Sequence, residues 1–484
     1  MKQTKIICTL GPQSNTKETI QELINNGMDC ARLNCSHGNP EEKLEKINMV
    51  RDISDYVSII LDTKGPEIRT GAIQSIYGDS KDCNGEIYLN DGDQIILTAQ
   101  DIIGTRERIS ISYKDLAKKV KPKQTIYIDD GLIELEVIEI KNDEIICKVL
   151  NGEKLGSRKT VALPGLDIAL EPITPEDLKN IEFAIKYNLD FIAVSFVKSK
   201  DELIWIKNYI RKKGSQIKVI AKIETVESVE NIDEIIDASD GIMVARGDLA
   251  TDICPQNVPI VQKDIVKRCN IAAKPVIIAT QMLDSMINNP RPTRAEVNDV
   301  ANAIIDGADT IMLSGETASG RYPVKALKNM SDIAKATEKS CDLGTKKEIK
   351  NGIDDNIASF ISKSVYHAAN SLDIQAVIAA TSSGFTARLI SRFKLRIPII
   401  AITASLDTYR QLSLSWGVYP ILGEFAAKSR QVVIDSINLA FKKELITKND
   451  TVAVTAGVPV GQAGTTNLIE IHRIESFLLY NKGK

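Results

Sequence analysis

Short continuous apolar runs recur along this chain, and several end in charged or hydroxyl residues. Val219-Ile220-Ala221-Lys222-Ile223-Glu224 passes from aliphatics into a lysine and a carboxylate, and Gly241-Ile242-Met243-Val244-Ala245-Arg246-Gly247-Asp248 passes into Arg-Gly-Asp. A run of this kind suits a strand covered on both faces, as in a parallel sheet walled by helices. Similar runs start near residue 5, span 29–33 and 57–61, and return at 191–196, 276–280 and 310–314. Amphipathic stretches separate them. Asn15 or Thr16 is placed to cap the first helix, Thr174 with Pro175 to open another, and Thr293-Arg294-Ala295-Glu296 to form a capping box. Strand and helix alternate with a period of roughly 25 to 30 residues, that of a βα unit.

The alternation breaks once. From about residue 71 to 168 the pattern turns to short alternating runs with turn residues between them, such as Glu86-Ile87-Tyr88-Leu89 before Asn90-Asp91-Gly92-Asp93. That is the pattern of a small all-β domain. Three strands precede the interruption and five follow it, which predicts a (β/α)8 TIM barrel over residues 1–70 and 169–342. The small β-barrel lid domain (71–168) is inserted in the third strand-to-helix loop, on the face where barrel active sites lie. After a charged linker, Lys346-Lys347-Glu348-Ile349-Lys350, a C-terminal α/β domain is expected over 351–484. It has a helix at 357–369, strands at 376–380, 397–402 and 451–455, and a last apolar run at 468–471.

At 484 residues the chain is too long for one core. A formal charge of -3 and ordinary composition argue against nucleic acid and anionic membrane as partners. The start, Met1-Lys2-Gln3-Thr4-Lys5, does not read as an export signal, and no run approaches a membrane span. Eight scattered cysteines without a Cys-x-x-Cys pair read as reduced thiols of a cytoplasmic protein. With three histidines in all, the chemistry falls to Lys, Arg, carboxylates and hydroxyls.

In a parallel barrel, residues just past the carboxyl ends of the strands converge on one mouth. Glu224 and Asp248 on adjacent strand ends suit one magnesium ion, which takes one or two carboxylates and keeps other positions for water and substrate oxygen. Lys222 adds a fixed positive charge. Strand two ends Arg32-Leu33-Asn34-Cys35-Ser36-His37, strand three Asp62-Thr63-Lys64-Gly65-Pro66-Glu67-Ile68-Arg69, strand seven Thr280-Gln281 and strand eight Ser314-Gly315-Glu316-Thr317. Phosphoryl transfer needs little more than such positioned charge and a metal. The carboxylates are expected to be ionised near neutrality beside a cation. No Gly-x-x-x-x-Gly-Lys-Ser/Thr motif is present, so a nucleotide would be held another way. In the C-terminal block, Thr381-Ser382-Ser383-Gly384 and Gly461-Gln462-Ala463-Gly464-Thr465-Thr466 follow strands; the residues leave open whether these loops bind an anion or are ordinary loops.

Taken together, Lys5-Ile6-Ile7-Cys8-Thr9-Leu10-Gly11-Pro12, Leu61-Asp62-Thr63-Lys64-Gly65-Pro66-Glu67-Ile68-Arg69, Ala221-Lys222-Ile223-Glu224, Met243-Val244-Ala245-Arg246-Gly247-Asp248-Leu249, Ala279-Thr280-Gln281-Met282-Leu283, Arg291-Pro292-Thr293-Arg294-Ala295-Glu296 and Met312-Leu313-Ser314-Gly315-Glu316-Thr317 closely resemble the pyruvate kinase family, and the resemblance covers essentially the whole chain. It implies a barrel with a mobile lid and a C-terminal regulatory domain, usually a homotetramer. The implied reaction makes pyruvate and ATP from phosphoenolpyruvate and ADP in glycolysis, with Mg2+ (or Mn2+) and K+. By motif position the resemblance gives Lys222, Arg69 and Thr280 catalytic roles, and Glu224 and Asp248 the magnesium. Arg32, Lys222, Gly247, Asp248 and Thr280 fall to the substrate. Asn34, Cys35, Ser36, His37, Arg69 and Lys159 fall to the nucleotide, and Asn34, Ser36, Asp62 and Thr63 to potassium. Glu67 stands where potassium-dependent members have Glu and independent ones Lys. Thr381, Ser382, Ser383, Gly384 and Thr386 match the effector loop, which implies a phosphorylated allosteric effector. Phe385 stands where many sugar-bisphosphate-activated members have a basic residue, so the effector's identity, sugar phosphate or AMP, stays open. Ala250 replaces a common Gly, and the extra C-terminal domain of some bacterial relatives is not expected. Two rival readings are a magnesium-dependent barrel lyase acting on phosphoenolpyruvate or a related keto acid, and an inactive metabolite sensor. The lyase has no use for Lys159 or potassium ligands, and the sensor would not need to keep Lys222, Glu224 and Asp248.

Overall fold

The computed structural model describes residues 2–74, 85–129, 131–166, 171–340, 356–424, 429–457 and 465–481. Lys346 to Lys350, Asp130 and Gly461 to Gly464 lie outside the described residues.

Eight parallel strands close into a barrel: Lys5–Thr9, Cys30–Asn34, Ser58–Asp62, Phe191–Val194, Lys218–Ile223, Gly241–Ala245, Val276–Ala279 and Thr310–Leu313. Each pairs with its neighbours in sequence order, and the first pairs with the eighth. Alternate residues point inward: Ile7, Cys30, Ile60, Phe191, Ile220, Met243, Ile277 and Met312 fill the barrel, and the intervening side chains pack under the helices. This explains why the strands read as unbroken apolar runs, since neither face meets water. Helix starts follow local capping chemistry: Thr16, Thr174 and Thr293 each accept from a backbone N–H one turn on, the last two in capping boxes.

The inserted domain leaves after the third strand and returns before the helix Pro175–Lys186. A six-stranded sheet runs from Val161–Ala162 through Thr125–Ile128, Ile133–Lys141, Glu144–Asn151 and Gln94–Thr98 to Arg108–Ser110, with a separate pairing of Glu86–Tyr88 and Lys154–Gly156. Bridges from Arg69 to Thr160 and from Thr70 to Ile111 link the ends of the two edge strands through the outgoing chain, and the sheet wraps its own apolar core.

The C-terminal sheet is ordered Val418–Leu422, Ile399–Thr403, Ala376–Ala380, Thr451–Gly457, Thr466–Arg473, parallel except for the last pairing. It docks on the amino-terminal end of the barrel. Leu414 enters the barrel interior, Thr310 donates to its carbonyl (2.9 Å), the Lys5 ammonium donates to the Val418 carbonyl (2.7 Å), and Lys394 pairs with buried Asp309 (2.6 Å). The six described cysteines are free, five of them buried and Cys254 exposed.

Candidate active site

At the carboxyl end of strand five, Lys222 and Glu224 are both buried, because the neighbouring strand ends close over them. The Lys222 ammonium lies 2.8 Å from Glu224, 3.1 Å from Asp62 on strand three, and donates to the Ser195 hydroxyl past strand four at 2.7 Å. Asp62 also receives Arg32 from strand two at 2.7 Å, and Arg32 donates to the Thr9 hydroxyl at 3.0 Å. Five strand ends thus meet in one buried ionic network. Burial drives Asp62 toward its proton, but Lys222 and Arg32 outweigh it and hold the carboxyl below its ordinary range. Burial works against a charged Lys222 as well, and Asp62, Glu224 and Asp248 reverse the shift upward. Glu224 is pushed up, by burial first and then by Asp248, with Lys222 opposing. A buried carboxyl in that state takes a proton or a cation. Among the described residues no cluster of three or more His, Cys, Asp or Glu could cage a metal. Magnesium needs no such cage, and Glu224 Oε1 and Asp62 Oδ1 are buried carboxylate oxygens that face a cation already, the Lys222 ammonium. The donor set therefore fits hard cations held by few carboxylates.

Asp248 is in the first turn of the helix Arg246–Asp252 and lines the same cavity as Glu224 and Glu67. Gly247 donates its N–H to the Thr280 hydroxyl (2.8 Å). Thr280 and Gln281 both sit at positive φ, 68° and 51°, an uncommon backbone that here ends strand seven. Arg246 braces that turn, donating to the Thr280 carbonyl (2.7 Å) while paired with Asp299 (2.7 Å). Among the described residues the buried Ser314 hydroxyl has no partner, and its N–H and that of Leu283 are taken by Glu316, whose carboxyl is raised by burial.

After strand two, the Asn34 side chain accepts the Ser36 N–H (3.0 Å), Cys35 is buried with its thiol pushed up to about 12 by burial, and His37 is exposed. The Thr63 carbonyl accepts the Ser195 hydroxyl (2.7 Å). Arg69 is turned onto Glu67 (2.7 Å) and the Arg158 carbonyl (2.8 Å), and Lys159 is held within the lid on Asp129 (2.9 Å). Among the described residues, neither cation has a bond to Lys222, Glu224, Asp62 or Arg32. In the C-terminal domain, Thr381 and Thr386 are buried, the latter bonded to Thr466; Gly384 has φ 77°, Ser382 is exposed, and Arg388 donates to the Ser383 carbonyl (3.1 Å).

Ser195 and Phe196 were not among the residues singled out from sequence. The Phe196 N–H donates to Glu224 at 2.6 Å. The signal was available: Ser195 follows the apolar run of strand four, and the rule that charged or hydroxyl residues past a barrel strand face the mouth covers it.

Fold and site together define a lidded (β/α)8 barrel enzyme that handles an anionic, oxygen-rich substrate. Residues 1–327 match the family model "Pyruvate kinase, barrel domain", and residues 359–472 match "Pyruvate kinase, alpha/beta domain". A pyruvate kinase from Staphylococcus aureus (strain MRSA252) is 43% identical over all of this chain and 82% of its own length, and that of strain USA300 is 42% identical over the same shares. A crystal structure of a pyruvate kinase from Cryptosporidium parvum superposes with a TM-score of 0.88 at 38% identity, covering 98% of this chain and 96% of that one. The chain belongs to the pyruvate kinase family.

Proposed function

We propose that Lys222 is the group on which transfer of the phosphoryl from phosphoenolpyruvate to ADP depends. The observation that carries this is the buried ammonium fixed between Glu224, Asp62 and Ser195 at the barrel mouth. Preorganised positive charge in a water-poor site stabilises a moving phosphoryl group without reorganisation. Glu224 and Asp248 would hold Mg2+ or Mn2+, and Asn34, Ser36, Asp62 and the Thr63 carbonyl K+; these cations neutralise phosphoryl and enolate oxygens when bound. Arg32 and Arg69 hold the phosphoryl oxygens. The Gly247 and Asp248 N–H groups, at a helix start, and the Thr280 hydroxyl hold the carboxylate and enolate end. Thr280, with Ser314 and Glu316 through a water, delivers the proton that converts enolate to pyruvate. Residues 34–37 and Lys159 hold the nucleotide, and the loop containing Thr381, Ser382, Ser383, Gly384 and Thr386 takes a phosphorylated effector.

The domain limits proposed from sequence are kept: barrel 1–70 and 169–342, lid 71–168, C-terminal domain 351–484. Among the described residues no helix is long and apolar enough to cross a membrane, and a cytoplasmic homotetramer is the proposed working state. Ile260 and Ile305, exposed on the outer helices Val258–Ala272 and Arg294–Asp306, offer apolar surface for a neighbouring subunit to cover.

The test is a lactate-dehydrogenase-coupled assay with phosphoenolpyruvate, ADP and magnesium, in potassium and then in sodium buffer. Wild-type protein is expected to form pyruvate only with ADP and to need potassium, and Lys222→Met to lose at least about a hundredfold in kcat. ADP-independent pyruvate formation would move the assignment to a lyase, and equal rates in sodium would remove the potassium site.

A further inference from the structure

The chain crosses between barrel and lid twice, outward through Lys64 and Gly65 and back just before Thr174, and one carboxylate holds both crossings. Asp177, buried in the first turn of the helix Pro175–Lys186, accepts the Lys64 and Gly65 N–H groups on Oδ1 at 3.1 and 3.2 Å. Its Oδ2 accepts the hydroxyl and N–H of Thr174 at 2.7 and 3.3 Å. The Oδ2 bonds complete an ordinary capping box. The Oδ1 bonds have no capping role: they reach back 112 and 113 residues in sequence to the other side of the lid.

The outgoing crossing is pinned from its opposite side as well. Gly65 has φ 71°, and a Cβ there would stand 2.7 Å from the Phe196 ring and 2.8 Å from the Ser195 Cβ. Ser195 and Phe196 are the residues bonded to Lys222 and Glu224. Beyond Gly65 the chain runs through Pro66 and Glu67 to Arg69, which is bonded to the lid. The Gly65 peptide therefore lies between the buried barrel network and an arginine bonded to the lid.

We propose that Asp177 is a positioning residue, a clasp that fixes the pivot about which the lid turns and so the place to which closure brings Arg69. The proposal rests on the reading of Arg69 as a phosphoryl ligand. Without the clasp, the Lys64–Gly65 peptide is held on one side only, and Arg69 and Lys159 are delivered over a wider range of positions. Misplacement of this kind falls on the step that needs the lid. Ketonisation of enolpyruvate, which uses groups on the barrel alone, is spared.

Asp177→Ala, Asp177→Asn and Thr174→Ala are compared with wild-type enzyme. Three things are measured: KM for ADP with kcat, ketonisation of enolpyruvate, and the lid-to-barrel distance distribution between spin labels at K148C and K200C in a background carrying C83S, C254S and C341S. Asp177→Ala is expected to broaden the distribution and raise KM for ADP at least about tenfold, with ketonisation within about twofold of wild type. Thr174→Ala, which loosens only the helix start, is expected to lower Tm while leaving distribution and KM unchanged. Asp177→Asn keeps an acceptor for Lys64 and Gly65 and is expected to recover most of the ADP affinity, which keeps the test decisive if the alanine variant folds poorly. The same KM and distribution in Asp177→Ala and Thr174→Ala would overturn the proposal and leave Asp177 a helix cap.

Discussion

Glu316 and Ser314 show how one residue's surroundings set its task. The Glu316 carboxyl takes the N–H groups of Leu283 and Ser314 and lies almost wholly buried, and burial raises its affinity for a proton. Among the described residues, the Ser314 hydroxyl beside it has no partner of its own. A raised carboxyl stays protonated to higher pH than an exposed one, so ketonisation that draws on it falls as pH rises through its pKa. Glu316→Gln is expected to slow enolpyruvate ketonisation roughly a hundredfold and to flatten that pH profile, while KM for phosphoenolpyruvate stays within about threefold. An unchanged ketonisation rate would remove Glu316 from the proton path. At this scale much of the candidate site was legible, since Lys222, Glu224, Asp62 and Arg32 all announce themselves as charges in or just past the carboxyl ends of apolar runs, and the structure brings them together. Ser195 announces itself more weakly, because a serine after Val194 carries a hydroxyl but no charge. What distinguishes it is its place between Lys222 and Thr63, which only the closed barrel creates.

Capping and strand alternation account for most elements. Glu296 is informative because it serves two of them. It completes the capping box of Thr293 at the start of the helix Arg294–Asp306 and also takes the Ser285 N–H and hydroxyl at 2.7 and 2.6 Å, tying the short turn Asp284–Ile287 to that helix. Partial burial works to raise its carboxyl, and the bonds from Ser285 and Thr293 outweigh it and hold it below the ordinary value. A carboxyl lowered by folding contributes stability above its unfolded pKa of about 4.3, and that contribution disappears as pH falls through its folded pKa. Glu296→Ala is expected to cost about 1 kcal/mol at pH 7, read by urea unfolding, with the gap to wild type closing in acid. Elements missed from sequence were those with a mixed message. Val418–Leu422 carries Pro420, tolerated because this is an edge strand, and Ile133–Lys141 interleaves Glu134, Glu136 and Glu139 with its apolar residues because one of its faces meets water.

Across the whole molecule, the junction of barrel and C-terminal domain concentrates buried charge. Lys5 donates to the Val418 carbonyl, lies 3.8 Å from Asp29 and 4.6 Å from the Tyr419 ring centroid, and is lowered to about 8, chiefly by burial with Lys2 adding, against Asp29 and Glu338. The Tyr56 and Tyr419 phenols around it are pushed up and stay neutral. A charged Lys5 is thus disfavoured in the fold, and its cost is full below pH 8. Between about pH 8 and 10.4 the unfolded chain still binds this proton when the folded one does not, so stability rises with pH. Relative to Lys5→Met, wild-type protein is expected to gain Tm between pH 7.5 and 9.5, a comparison that calorimetry can make. A constant difference would show that Lys5 keeps its proton in the fold.

Leu414 gives this junction another meaning. A side chain from residue 414 completes the layer of side chains inside a barrel whose last strand ended a hundred residues earlier. The catalytic barrel shares its floor with the C-terminal domain. A gene fragment ending after the eighth strand would encode a barrel without Leu414 in its interior layer, and a C-terminal domain exchanged with a relative's would bring a foreign side chain to that place. The two parts can change hands in evolution or in the laboratory only as a matched pair.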